Sequence, residues 1–169
     1  MKKLLNMRKK ATFPYSVNKD IGQSMDKIYI GADHGGYKVK EKIKNWLNKN
    51  NIEYVDCGTD SEESADYPIF AQKVGNAVAK GLGKGILICK SGQGMSIAAN
   101  KVKGIRACLA WNAGVAKKSR EHNDANALCL PASYINSSEA QEIIRIWLST
   151  PFSGERRHQK RILMIDKVQ

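Results

Sequence analysis

The sequence predicts an α/β protein, a three-layer αβα sandwich built on a Rossmann-like five-stranded parallel sheet. Two observations predict it. Short apolar runs alternate along the chain with longer stretches of helical apolar spacing. Runs such as Ile86–Cys89 are almost wholly apolar, which suits strands covered on both faces.

The elements follow in order. Ile28–Ala32 reads as a strand, and Tyr37–Asn50 as a helix with Val39, Ile43, Trp46 and Leu47 on one side. Ile52–Cys57 is the second strand, ending before Gly58. Tyr67–Lys80 is helical, with Pro68 in its first turn and Asp66 placed to cap it. Gly85–Cys89 is the third strand and Met95–Lys101 a helix. Ile105–Ala110 and Ala127–Leu130 are strands on either side of a helix over Val115–Glu121. Ser137–Ser149 and Glu155–Asp166 are the last two helices. Chains that alternate this way form parallel sheets with right-handed crossovers.

The chain has 169 residues, 28 Lys+Arg and 16 Asp+Glu, for a net charge of +12. Lys2, Lys3, Arg8, Lys9, Lys10 and Lys19 against Asp20 concentrate part of that excess at the start. The remaining charge is spread and the aromatic residues form no RNA-binding signature, so nucleic acid is not the expected partner. A basic site for a phosphorylated small molecule accounts for part of the excess. No apolar run approaches the ~18 residues a membrane span needs. Polar residues follow Leu4-Leu5 at once, so a secretory core is missing there. Residues 1–25 are expected to be a basic extension, or to precede a start at Met25, with 26–169 as one domain. Cys57, Cys89, Cys108 and Cys129 form no CxxC and no zinc spacing, which points to a reducing, cytoplasmic setting.

Ligands of such sheets bind beyond the carboxyl ends of the strands. The first polar segment there is Asp33-His34-Gly35-Gly36, able to hydrogen-bond sugar hydroxyls but equally a capped turn with a solvated histidine. It lacks the GxGxxG spacing of a dinucleotide site. The second is Cys89-Lys90-Ser91-Gly92-Gln93-Gly94, where loop amides and a helix start converge to suit an oxyanion. A thiol beside such amides is a candidate base or nucleophile, or else a plain buried strand cysteine. The third runs from Glu121-His122-Asn123 to Asn126, with His122 near a helix C-terminus, where a surface imidazole is also at home. Arg157 and Arg161 lie four apart on one helical face, which fits a phosphate as well as a solvated charge run.

Taken together these motifs resemble the ribose-5-phosphate isomerase B family, which includes the galactose-6-phosphate isomerase subunits. The resemblance spans about Met25 to Asp166 and also rests on Asp56-Cys57-Gly58-Thr59, Asp66-Tyr67-Pro68, Ile97-Ala98-Ala99-Asn100-Lys101 and Gly104-Ile105-Arg106-Ala107. It implies an aldose–ketose isomerase working through an enediolate, with no metal or other cofactor. Cys89 matches the family's proton-transfer base and His122 its ring-opening residue. Asp33, His34 and Asn123 match substrate contacts, and Arg157 and Arg161 phosphate ligands, with Arg156 an alternative register. Ser91, Gly92, Gln93 and Gly94 would hold the developing oxyanion.

Two positions depart from the family. Lys90 stands where a glycine is usual, and Ser133 where many members carry a third phosphate arginine. Lys90 is expected to replace part of that charge. The implied reaction interconverts D-ribose 5-phosphate and D-ribulose 5-phosphate in the pentose phosphate pathway. A hexose 6-phosphate of the allose or galactose type is the alternative substrate, and a sugar-phosphate-binding module the non-enzymatic one. Relatives are dimers, or tetramers of dimers, with sites at subunit boundaries. A homodimer or homotetramer is therefore expected here, with His122 or the arginines donated across the interface.

Overall fold

The computed structural model describes residues 27–168; the basic stretch 1–25 lies outside them. Five parallel strands, β1 (Ile28–Ala32), β2 (Tyr54–Asp56), β3 (Lys84–Cys89), β4 (Ala107–Leu109) and β5 (Ala127–Pro131), form one sheet in the order β2-β1-β3-β5-β4. Six helices accompany them: α1 (Tyr37–Lys49), α2 (Tyr67–Ala79), α3 (Gln93–Ala99), α4 (Ala113–Asn123), α5 (Ser137–Ser149) and α6 (Arg156–Ile165).

Alternate strand residues feed two cores, as the two-residue period of a strand requires. Ile28, Ile30, Ile86, Ile88, Leu128 and Leu130 point to one face, where Ile43 and Leu47 of α1, Ala116 of α4 and Trp147 of α5 cover them. Leu87, Cys89, Ala127 and Cys129 point to the other, against Val74 and Val78 of α2 and Met95 of α3. The three layers expected from the alternation are therefore present.

Boundaries differ where local hydrogen bonds compete with the sheet. β2 begins at Tyr54 rather than Ile52, because the Ile52 N–H is taken by the Leu47 carbonyl at 3.0 Å as α1 terminates. β4 begins at Ala107 because Ile105 N–H closes a turn onto Val102 and Arg106 N–H bonds the Asn126 side chain at 2.8 Å. α4 starts at Ala113, two residues earlier than the spacing suggests, since the Asn112 side chain accepts the Val115 N–H at 2.9 Å. Asp66 does hold the cap position of α2, but its side chain makes no capping bond.

One consequence of the strand order positions the site. β1 and β3 are neighbours, yet β1 leads into α1 on one face and β3 into α3 on the other. Their carboxyl ends therefore open a crevice, the place where open α/β sheets bind ligands.

Candidate active site

The crevice is lined from both strands. After β1 the chain turns tightly: Gly36 N–H donates to the Asp33 carboxylate at 3.0 Å, and Asp33 itself is only 7% exposed. Gly36 packs so closely on the Ile88 carbonyl that any side chain there would overlap β3 backbone. His34 is fixed by the Ala65 N–H, which donates to Nδ1 at 3.2 Å. Nδ1 is thereby the acceptor, and the ring's N–H is on Nε2.

Cys89 ends β3 and is 5% exposed. Gly92, in the left-handed region at φ 72°, caps α3 and directs its N–H at Cys89 Sγ, 3.1 Å away. A side chain at Gly92 would meet both that backbone strain and the Leu109 side chain. An N–H donated to sulfur stabilises negative charge on it. Burial pushes the Cys57, Cys108 and Cys129 thiols up, away from thiolate chemistry. Cys129 is fully buried, whereas Cys108 is only half-buried and lies 3.1 Å from the Ser119 hydroxyl.

Lys90 is exposed, and its ammonium has no acidic partner among the described residues. Its stem crosses Gly35, where a Cβ would overlap it, and its carbonyl accepts the Ser133 N–H at 2.9 Å. Ser91 accepts the Gln93 N–H, and the Tyr67 ring lies directly over Gly94. Thus Asp33, His34, Cys89, Lys90, Ser91, Gly92, Gln93 and Gly94 come together at one edge of the sheet.

His122, Asn123, Arg157 and Arg161 do not join them. α4 starts just beyond the carboxyl end of β4 and runs back, so His122 sits in its last turn. The loop that follows is level with the start of β3, because Gly85 N–H donates to the Asn126 carbonyl at 2.9 Å. From Gly85 to Cys89 the strand rises about 13 Å. Within one chain the two groups therefore serve opposite edges of the sheet. The turn carrying His122 is held firmly: Arg120 donates to Asp124 at 2.6 Å and to the Ala125 carbonyl at 2.7 Å. Arg106 donates to the Asn123 carbonyl at 3.0 Å.

Around His122 the structure gathers α6. The His122 and His158 rings lie 4.4 Å apart between centroids. Arg157 and Arg161 are both exposed on the same helix, and Arg157 Nε donates to Glu155 at 2.7 Å. A groove of about 560 Å³ runs along α4 from Asn112 to His122 and Asn123. Tyr67 and His158 lie inside the motifs Asp66-Tyr67-Pro68 and Arg157-His158-Gln159, and only packing places them against the candidate residues Gly94 and His122.

The sequence profile of a family described as ribose/galactose isomerase matches residues 28–165. The chain belongs to this family. Ribose/galactose isomerase relatives match it over nearly their full length. The ribose-5-phosphate isomerase B of Escherichia coli (strain K12) is 41% identical over 146 residues, 86% of this chain and 97% of that protein. The solved structure of Clostridium thermocellum ribose-5-phosphate isomerase B shares 47% identity at a TM-score of 0.82, covering 84% of this chain and 96% of the other. The type B enzyme of Trypanosoma brucei gives 43% and 0.82, covering 86% and 99%. As a ribose/galactose isomerase, the protein is a sugar phosphate isomerase of the same α/β fold. No helix among the described residues is long and apolar enough to cross a membrane. Nor does any group of three or more His, Cys, Asp or Glu side chains among them fit a metal ion.

Proposed function

We propose that the protein interconverts D-ribose 5-phosphate and D-ribulose 5-phosphate, with Cys89 moving a proton between adjacent sugar carbons. The observation that supports this most directly is the Gly92 N–H directed at Cys89 Sγ from 3.1 Å. It stabilises charge on the sulfur at the mouth of a crevice.

In this reading His122 donates a proton to the furanose ring oxygen as the C1 hydroxyl gives one up, and the sugar opens to its aldehyde. The Cys89 thiolate then takes the proton from C2, and the electron pair moves onto the carbonyl oxygen. The resulting enediolate is met by the N–H groups of Ser91 to Gly94. Cys89 returns the proton to C1 while the proton of the C2 hydroxyl passes to O1, leaving the ketose with its C1 hydroxyl and C2 carbonyl. Asp33, His34 and Asn123 bind hydroxyls. Arg157 and Arg161 take the phosphate, with Lys90 adding charge beside Ser133.

Because Cys89 and His122 lie at opposite sheet edges, one substrate reaches both only if two copies of the chain share a site. The reading therefore includes a homodimer, or a tetramer of dimers, and specific activity should fall on dilution below its dissociation constant.

The deciding experiment measures kcat/KM side by side on ribose 5-phosphate, allose 6-phosphate and galactose 6-phosphate, for the wild type and Cys89→Ala. Preference for the pentose, abolished by Cys89→Ala with binding retained, is expected. Preference for a hexose phosphate replaces the substrate assignment. Binding without turnover in the wild type makes the protein a binding module.

A further inference from the structure

His158 is the most enclosed group on α6, 3% exposed on a helix whose other side chains are exposed apart from the half-buried Ile162. Its ring is tilted 33° against that of His122, with centroids 4.4 Å apart. Ser153 Oγ lies 2.7 Å from His158 Nδ1 and accepts the Glu155 N–H at 3.3 Å. The hydroxyl proton can then be donated to Nδ1, a pairing that suits an uncharged imidazole with its own N–H on Nε2. Ser153 N–H donates to the Glu121 carbonyl at 3.1 Å, the residue just before His122. One short segment thus clamps both rings.

The charges facing His158 act in the same direction as the clamp. Burial comes first in disfavouring its protonation, and His122 of α4 together with Arg157 and Arg161 of α6 add to it, while Glu155 alone opposes. Glu121 on α4 is occupied by Lys117 and Lys118. Two imidazoliums in contact would repel each other, which disfavours charge on both rings at once.

We infer that His158 is a positioning residue for ring opening: anchored by Ser153, its ring fixes the tilt of the His122 imidazole. This rests on the role proposed above for His122. It makes His158 a support acting through another residue, without touching substrate.

The two halves of the proposed reaction separate the possibilities. Ribulose 5-phosphate is acyclic, so wash-in of solvent deuterium at its C1 needs Cys89 but no ring opening. In His158→Ala, turnover of cyclic ribose 5-phosphate should fall at least ten-fold while wash-in into the ketose stays within two-fold. His158→Phe, which keeps a flat ring, should recover most of the lost turnover. The inference is overturned if turnover is unchanged, or if Phe does no better than Ala. It is equally overturned if turnover and wash-in fall together, or if KM rises alike for both sugars, as displaced arginines would cause. Should His158→Ala not fold, His158→Phe against His158→Gln decides, with the aromatic variant alone expected to remain active. Cys89→Ala serves as the separate control. If it still exchanges deuterium, the assignment of the base has failed, not the role of His158.

Discussion

Lys90 is held between two loops, with no acid paired to it among the described residues: its stem rests on Gly35 and its carbonyl ties down Ser133. A phosphate entering the crevice would find an available ammonium where the chain lacks an arginine. Lys90→Gly should therefore raise KM for the sugar phosphate several-fold with little change in kcat, read by steady-state kinetics. An unchanged KM removes Lys90 from the binding set. That Asp33, Cys89 and the glycine loop gather at one end of the sheet was legible at this scale, because each follows an apolar run that reads as a strand. His158 was not legible. Within Arg157-His158-Gln159-Lys160-Arg161 it reads as part of a charged surface, and only the docking of 150–155 onto α4 shows its enclosure.

At the scale of elements, α1 is fastened to β2 by charge as well as by its apolar face. Lys40, 1% exposed, reaches Asp56 at 2.5 Å and Glu41 at 3.1 Å, and Lys44 joins Asp56 at 2.8 Å. Burial alone would push the Asp56 carboxyl up, but the hydrogen bonds from Lys40 and Lys44 outweigh it and hold it below its usual value. A lowered folded value stabilises the protein above the unfolded one, about 3.9, and that contribution disappears as pH falls through the folded value. Asp56→Asn should cost about 1–2 kcal/mol at neutral pH in urea denaturation, less than a fully enclosed pair because Asp56 keeps contact with water. The difference from wild type should shrink towards pH 3. α1 itself was readable from its apolar spacing. β2 and β4 were readable as strands but not in their short bounds, because competing turn bonds from Ile52, Ile105 and Arg106 leave no mark in hydropathy.

At the scale of the molecule, the alternation of elements signals a parallel sheet but not the sequence in which strands lie side by side. The order β2-β1-β3-β5-β4 places β5 between β3 and the edge strand β4, and α4 returns its C-terminus to the far side of the sheet. Separation of Cys89 from His122 follows from that path rather than from either motif. If two copies complete each other, mixing inactive Cys89→Ala and His122→Ala chains should restore activity. Random pairing would make half the dimers mixed, each with one intact site, giving about a quarter of wild-type turnover. Complete silence after subunit exchange would confine each site to one chain.

Of the α6 side chains only that of His158 is buried, and past the helix Asp166 reaches Arg106 at 3.9 Å. So slight an anchorage implies that α6 opens far more often than the sheet does. Its backbone amides should trade hydrogen for deuterium well ahead of those in β3 and β5, and a bound sugar phosphate bridging Arg157 and Arg161 should slow that trade. The part of the chain that grips the anion would then also be the part that breathes to let it go.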